Sequence, residues 1–190
     1  MARHLLLSLA VALGLSLPAM AQPTGAAPPL MHPGGWSITP PAGIRPGANP
    51  IKGGSLTVLV VRGNVAAGAC VTTINTQPKA LTAAVWDRTV DSFMSNAEAE
   101  GRLAAERSGH TFLRHLGSAP VLSSAGWRGF SLWYERTNKT SGNLQSAYLA
   151  SSMLSPTQRL MIACSSATGY VFEAADYARF KELVASVRLN

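Results

Sequence analysis

Two cysteines, Cys70 and Cys164, are the residues whose type most directly suggests a bond. Each lies among residues that read as an ordered, buried strand. In an oxidising compartment an even count in such settings favours one disulfide. Closing a loop across most of the domain, it is worth at most roughly 4–5 kcal/mol by chain entropy. The alternative is a pair of buried thiols that never meet. No Cys-x-x-Cys spacing exists to activate a thiol, so redox catalysis is not expected.

The remaining chemistry-bearing residues are sparse. Beyond His4 the histidines are His32, His110 and His115. His110 and His115 are five apart, which separates them on a helix and on a strand. Glu106 with His110 falls short of any zinc-binding spacing, so neither a metal nor another cofactor is expected. No Gly-x-Ser-x-Gly or Ser-x-x-Lys is present to mark a nucleophile. A serine brought to His110 or His115 and to Asp87 or Asp91 by the fold is the hydrolase alternative. Glu98 and Glu100 are too close on one helix to flank a glycosidic bond. Gly53-Gly54 and the Gly126–Gly129 stretch lack the Lys-Ser/Thr of a phosphate loop. Trp127, Trp133 and Tyr134 with Arg128 and Arg136 are the types that anchor interfaces, although a helix-covered sheet would bury them as core.

The N-terminus carries an address. Arg3 precedes an apolar run from Leu5 to Leu17, Pro18 ends it, and Ala19-Met20-Ala21 supplies small residues for cleavage between Ala21 and Gln22. That is the layout of a secretory signal peptide, and thirteen residues is short of the roughly twenty needed to span a bilayer. The expected division is residues 1–21 as signal, 22–50 as a Pro/Gly-rich lead with one possible strand, and 51–190 as a single domain. The expected location is periplasmic or secreted, with no stable membrane insertion after cleavage. With 16 Lys and Arg against 9 Asp and Glu the chain is +7, and +6 without Arg3. The basic residues are scattered, so no nucleic-acid surface is expected.

The elements that must position these residues follow from hydrophobic period. Eight of the twelve prolines fall between Gln22 and Pro50, around a possible strand at Trp36 to Thr39. Leu56–Val61 and Ala69–Ile74 read as strands. From Leu81 to Met94 the apolar residues recur at helical spacing, and Asn96 is placed to cap a further helix through Arg107. Pro120–Ser123 is a weak strand. Trp127–Arg136 alternates clearly, with Phe130, Leu132 and Tyr134 on one face. Gln145–Leu154 and Arg159–Ser165 complete a three-strand antiparallel meander. A closing helix runs from Ala174 to Val187, with Tyr177, Phe180, Val184 and Val187 as its apolar stripe and Arg188 closing its last turn. Strands, helices, a meander and a helix in that order make an α+β fold with a mostly antiparallel sheet.

This order resembles the PsbP-like α/β sandwich superfamily. The resemblance rests on Trp36-Ser37-Ile38-Thr39-Pro40-Pro41-Ala42-Gly43, on Trp127 to Tyr134, and on the ending from Phe180 to Arg188. The superfamily includes photosystem II proteins of the thylakoid lumen, a eukaryotic Ran-binding protein and many exported bacterial proteins. The cysteine pair departs from the photosystem members, and no metal-binding or Ran-contact motif is matched. The resemblance implies a scaffold that binds or stabilises larger assemblies and is seldom catalytic. The expected function is an exported, soluble, non-enzymatic binding or accessory domain of the bacterial envelope, its partner an envelope protein or small ligand.

Overall fold

The computed structural model describes residues 28–190; the expected signal peptide and its Ala21/Gln22 junction lie outside the described residues. Ten strands and three helices follow in the order β1 (Leu30–His32), β2 (Trp36–Ile38), β3 (Ile44–Lys52), β4 (Ser55–Arg62), β5 (Val65–Thr76), α1 (Ala83–Ser95), α2 (Ala97–Arg107), β6 (His110–Leu122), β7 (Arg128–Asn138), β8 (Leu144–Ser155), β9 (Gln158–Ser166), α3 (Ala174–Ser186) and β10 (Arg188–Leu189). The main sheet has seven strands in the order β3-β4-β5-β9-β8-β7-β6, every neighbouring pair antiparallel. Two meanders joined between β5 and β9 build it. β1, β2 and β10 form a small second sheet that ties the two ends of the described chain together. The α+β architecture with a C-terminal amphipathic helix is therefore present.

The disulfide joins Cys70 and Cys164 across that β5–β9 seam, where the two residues are register partners with Cα atoms 4.0 Å apart. Both cysteines are fully buried, so the bond staples the first meander to the last strand of the second.

Strands that alternate cleanly form where expected, and two strands depart from expectation. β6 runs for thirteen residues, of which Pro120–Ser123 catches only the end, and it turns the meander from three strands into four. Its register shifts between Phe112 and Arg114 and again between His115 and Gly117. Each irregularity resets the inward face, which erases the period-two signal. β3, with Pro46, Gly47 and Pro50, likewise breaks register between Pro46 and Ile51. Both are the edges of the sheet, where proline and bulges are tolerated and blunt an exposed ladder. The Pro/Gly-rich segment thus holds β1, β2 and most of β3 where one strand was expected.

One face of the sheet carries α3. Phe180, Leu183, Val184 and Val187 are fully buried against Leu56, Val58, Tyr148, Leu160 and Ile162. Tyr177 is half-buried and stacks on Trp133, with ring centroids 5.2 Å apart. Gly117 makes room for that indole, since a Cβ there would lie 2.7 Å from it. Arg188 donates from Nη1 to the carbonyl of Ala185 and so does close the last turn. The opposite face carries α1 and α2, which pack over β6 and β7 on Phe112, Phe130, Leu132 and Tyr134. α1 is capped by Thr82, whose hydroxyl accepts from the Val85 N–H. Asn96 stands at the N-cap position of α2 as expected, its carbonyl accepting from the Glu100 N–H, but its side chain makes no cap bond: the amide donates to the Ser92 carbonyl instead.

Candidate functional site

The two helices cover only half of their face. Cross-strand pairing places Arg45, Leu59, Ala69, Ser165 and Ala147 in one row, and Thr57, Val71, Ala163 and Leu149 in the next. A third row runs through Thr73, Met161 and Ser151 to Phe130. Leu132, Tyr134 and Phe130 at the β7 end lie under α1 and α2. Further out, no helix covers the face among the described residues, so Val71 is 39% exposed and Ala163 is open. The result is a trough with a sheet floor and a helical wall.

Where the wall meets the floor there is a hollow of 240 Å³ lined by Phe93, Glu100, Ala104, Arg107, Phe130, Leu149, Ser151, Arg159 and Met161. Apolar and polar groups share its walls, with Phe93 stacked on Phe130 at 3.5 Å between centroids. Arg159 enters from β9. Its Nε donates to the Ser151 hydroxyl at 2.7 Å and its guanidinium lies 5.5 Å from the Trp86 ring. Burial pushes that guanidinium below its ordinary pKa, because the charged form loses water without gaining an anion. No carboxylate pairs with it.

A more deeply buried cation shares this face. Arg136 is 7% exposed and donates from Nη1 to Ser108 and from Nη2 to Ser165, at 2.8 and 2.7 Å. It too is shifted down by burial and has no carboxylate partner. Its hydroxyl partners make it a fixed strut between α2, β7 and β9. All nine acids of the chain lie among the described residues, and residues 1–27 contain none.

The sequence-predicted candidates separate in space. Trp133 turns to the α3 face while Tyr134 and Arg136 point to the other, as neighbours on a strand must. Trp127 packs with the Trp86 cluster, and Arg128 is held by Asp91 at 2.6 Å. The aromatic and arginine platform is therefore dispersed, mostly into core. His110 contacts Ser108, but that hydroxyl is committed to the carbonyls ending α2 and to Arg136. Neither His110 nor His115 hydrogen-bonds an acid among the described residues, so the alternative Ser–His–Asp set is not assembled. His32 is satisfied locally, accepting from the Gly34 N–H and stacking on Trp36. No helix of the described residues is long and apolar enough to cross a membrane. Arg159 and Ser151 had no sequence signal beyond lying on predicted strands; their meaning comes from where the helices stop.

No family model matches this chain, and neither does any curated protein. Solved structures do. The Ran-binding protein Mog1p of Saccharomyces cerevisiae superposes with a TM-score of 0.55 at 11% identity, over 87% of this chain and 96% of its own. PsbP (CyanoP) of Synechocystis aligns at 0.44 and 11% identity over 93% and 99%, and a Bacteroides thetaiotaomicron protein at 0.45 and 10% over 88% and 49%. The likeness to the yeast protein shows a shared fold, the PsbP-like sandwich that the sequence resembles.

Proposed function

Taking that sandwich as the premise, we propose that this protein is an exported, non-catalytic binding domain of the bacterial cell envelope, and that the half-covered sheet face is its binding surface. The observation that carries this reading is the contrast between an unroofed floor with exposed apolar residues and a partly buried guanidinium with no counter-charge. A structural arginine is normally neutralised when buried. Arg159 has a hydroxyl and a ring instead. The yeast neighbour's description as a Ran-binding protein agrees with a scaffold used for binding, and the apolar Leu5–Leu17 run with Ala21 before Gln22 supports export. A disulfide at a strand seam suits an oxidising compartment.

A photo-crosslinking residue at Ala163, in cells making the full chain, tests the surface. Envelope adducts should form from Ala163 and not from Glu182, which is exposed on the α3 side. Equal labelling from both positions, or none from Ala163, contradicts the reading. Intact mass of the envelope-recovered protein tests export, with Gln22 expected as the first residue.

A further inference from the structure

We infer that the hollow beside Arg159 receives a free acyl carboxylate, with the head group on the guanidinium and the chain along the apolar floor. This rests on the open face being the binding surface and adds the ligand's chemistry. Three observations carry it.

The first is the guanidinium's unused capacity. Only Nε is engaged, by Ser151, which leaves both Nη groups without a hydrogen-bond partner among the described residues. Neither Nη atom is sealed from solvent, unlike the unpartnered Nε of Arg136. Two adjacent N–H donors on a planar fork fit the two oxygens of a carboxylate. Ser151 is itself anchored, its hydroxyl donating to the Leu160 carbonyl at 2.9 Å. The fork is therefore held in place before any ligand arrives.

The second is charge. Arg107 also lines the hollow and has no ion-pair partner, whereas Glu100 contributes one carboxylate. Two guanidiniums against one acid leave the hollow net cationic. Every other acid of the chain is placed elsewhere and residues 1–27 hold none, so a carboxylate seated on this fork would come from outside the chain.

The third is shape. At 240 Å³ the hollow is below the roughly 300–1,000 Å³ of sites that enclose compact drug-sized molecules. It opens instead onto Met161, Leu149, Ala163 and Val71, a continuous apolar strip supplied by adjacent strands. A small anionic head with one slender apolar tail matches that arrangement. A folded acidic protein surface does not, because it would carry polar groups onto the strip without partners.

Calorimetric titration of the purified protein with sodium dodecanoate, below its micellar concentration, tests the inference. One saturable site per chain is expected. Acetate, which has the head without the tail, and dodecyltrimethylammonium, which has the tail with the opposite charge, should give none. Arg159→Met should weaken dodecanoate by about tenfold or more, the scale of a lost charge-assisted pair. Arg107→Ala changes an exposed residue and should weaken it severalfold with the fold intact. Trp86, beside Arg159, should report the same occupancy through its indole N–H resonance. The inference is overturned if dodecanoate does not bind, if dodecyltrimethylammonium binds equally, or if a lysophospholipid of equal chain length binds more tightly. It is also overturned if both arginine variants bind dodecanoate as the parent does. Adducts at Ala163 with no dodecanoate binding would remove the acyl ligand and leave the binding surface standing.

Discussion

The two faces of the seven-stranded sheet solve the burial problem differently. On the α3 side the aromatic cluster of Tyr148, Phe172, Tyr177 and Phe180 is closed over, and the one buried acid, Asp176, is fully compensated. It receives Arg62 at 2.6 Å and Arg179 at 3.1 Å, and the Glu173 N–H donates to it at 2.9 Å. Its partner Arg62 is accordingly held above its ordinary pKa, chiefly by the hydrogen bond to that carboxylate. On the α1–α2 side the helices stop short, apolar residues stay in contact with water, and Arg159 is held below its ordinary pKa by burial alone. A charge that is buried and compensated belongs to the architecture. Arg136 has both Nη groups taken by hydroxyls and is a strut; Arg159, partly buried with only Nε engaged, keeps a free fork where a counter-ion fits.

Substitutions on the closed side should therefore cost stability. Phe180→Ala should lower it by about 3–5 kcal/mol, through lost transfer energy and the cavity left under α3. Replacing Cys70 and Cys164 by serine should cost about 2–5 kcal/mol, since the bond closes a loop with a sequence separation of 94. Asp176→Asn leaves Arg179 without its carboxylate and Arg62 with Glu173 alone, and should cost about 2 kcal/mol, less than a fully buried pair because Arg62 is partly solvated. Denaturant unfolding of the oxidised and serine-substituted chains measures all three. On the open side Ala163→Ser should change stability by no more than about 0.5 kcal/mol by the same measurement.

The closed face was largely legible in the sequence. Phe180, Val184 and Val187 recur at helical spacing, Leu56–Val61 is a continuous β-branched run, and both cysteines sit in strands that the structure joins. The edges were not legible, because bulges in β6 and prolines in β3 destroy the period on which such a reading depends. In sequence, Asp176 is only an acid near the start of the closing helix. Its burial depends on Arg62, 114 positions away, which no local pattern records. The trough escaped for a related reason: it is defined by where α1 and α2 end relative to β8 and β9. In sequence, Arg159 is only a polar residue at the start of a strand.

Arg159→Met separates the two kinds of charge most directly. Ser151 keeps its bond to the Leu160 carbonyl without Arg159, and methionine fills similar volume among Phe93, Phe130 and Met161. Exchanging a partly buried, uncompensated charge for an apolar side chain removes a desolvation cost and no ion pair. The denaturation midpoint of Arg159→Met should therefore equal or exceed that of the parent, while dodecanoate binding weakens by about tenfold or more. A loss of more than about 2 kcal/mol, on the scale expected for a structural charge, would place Arg159 with Asp176 as part of the architecture and contradict the account.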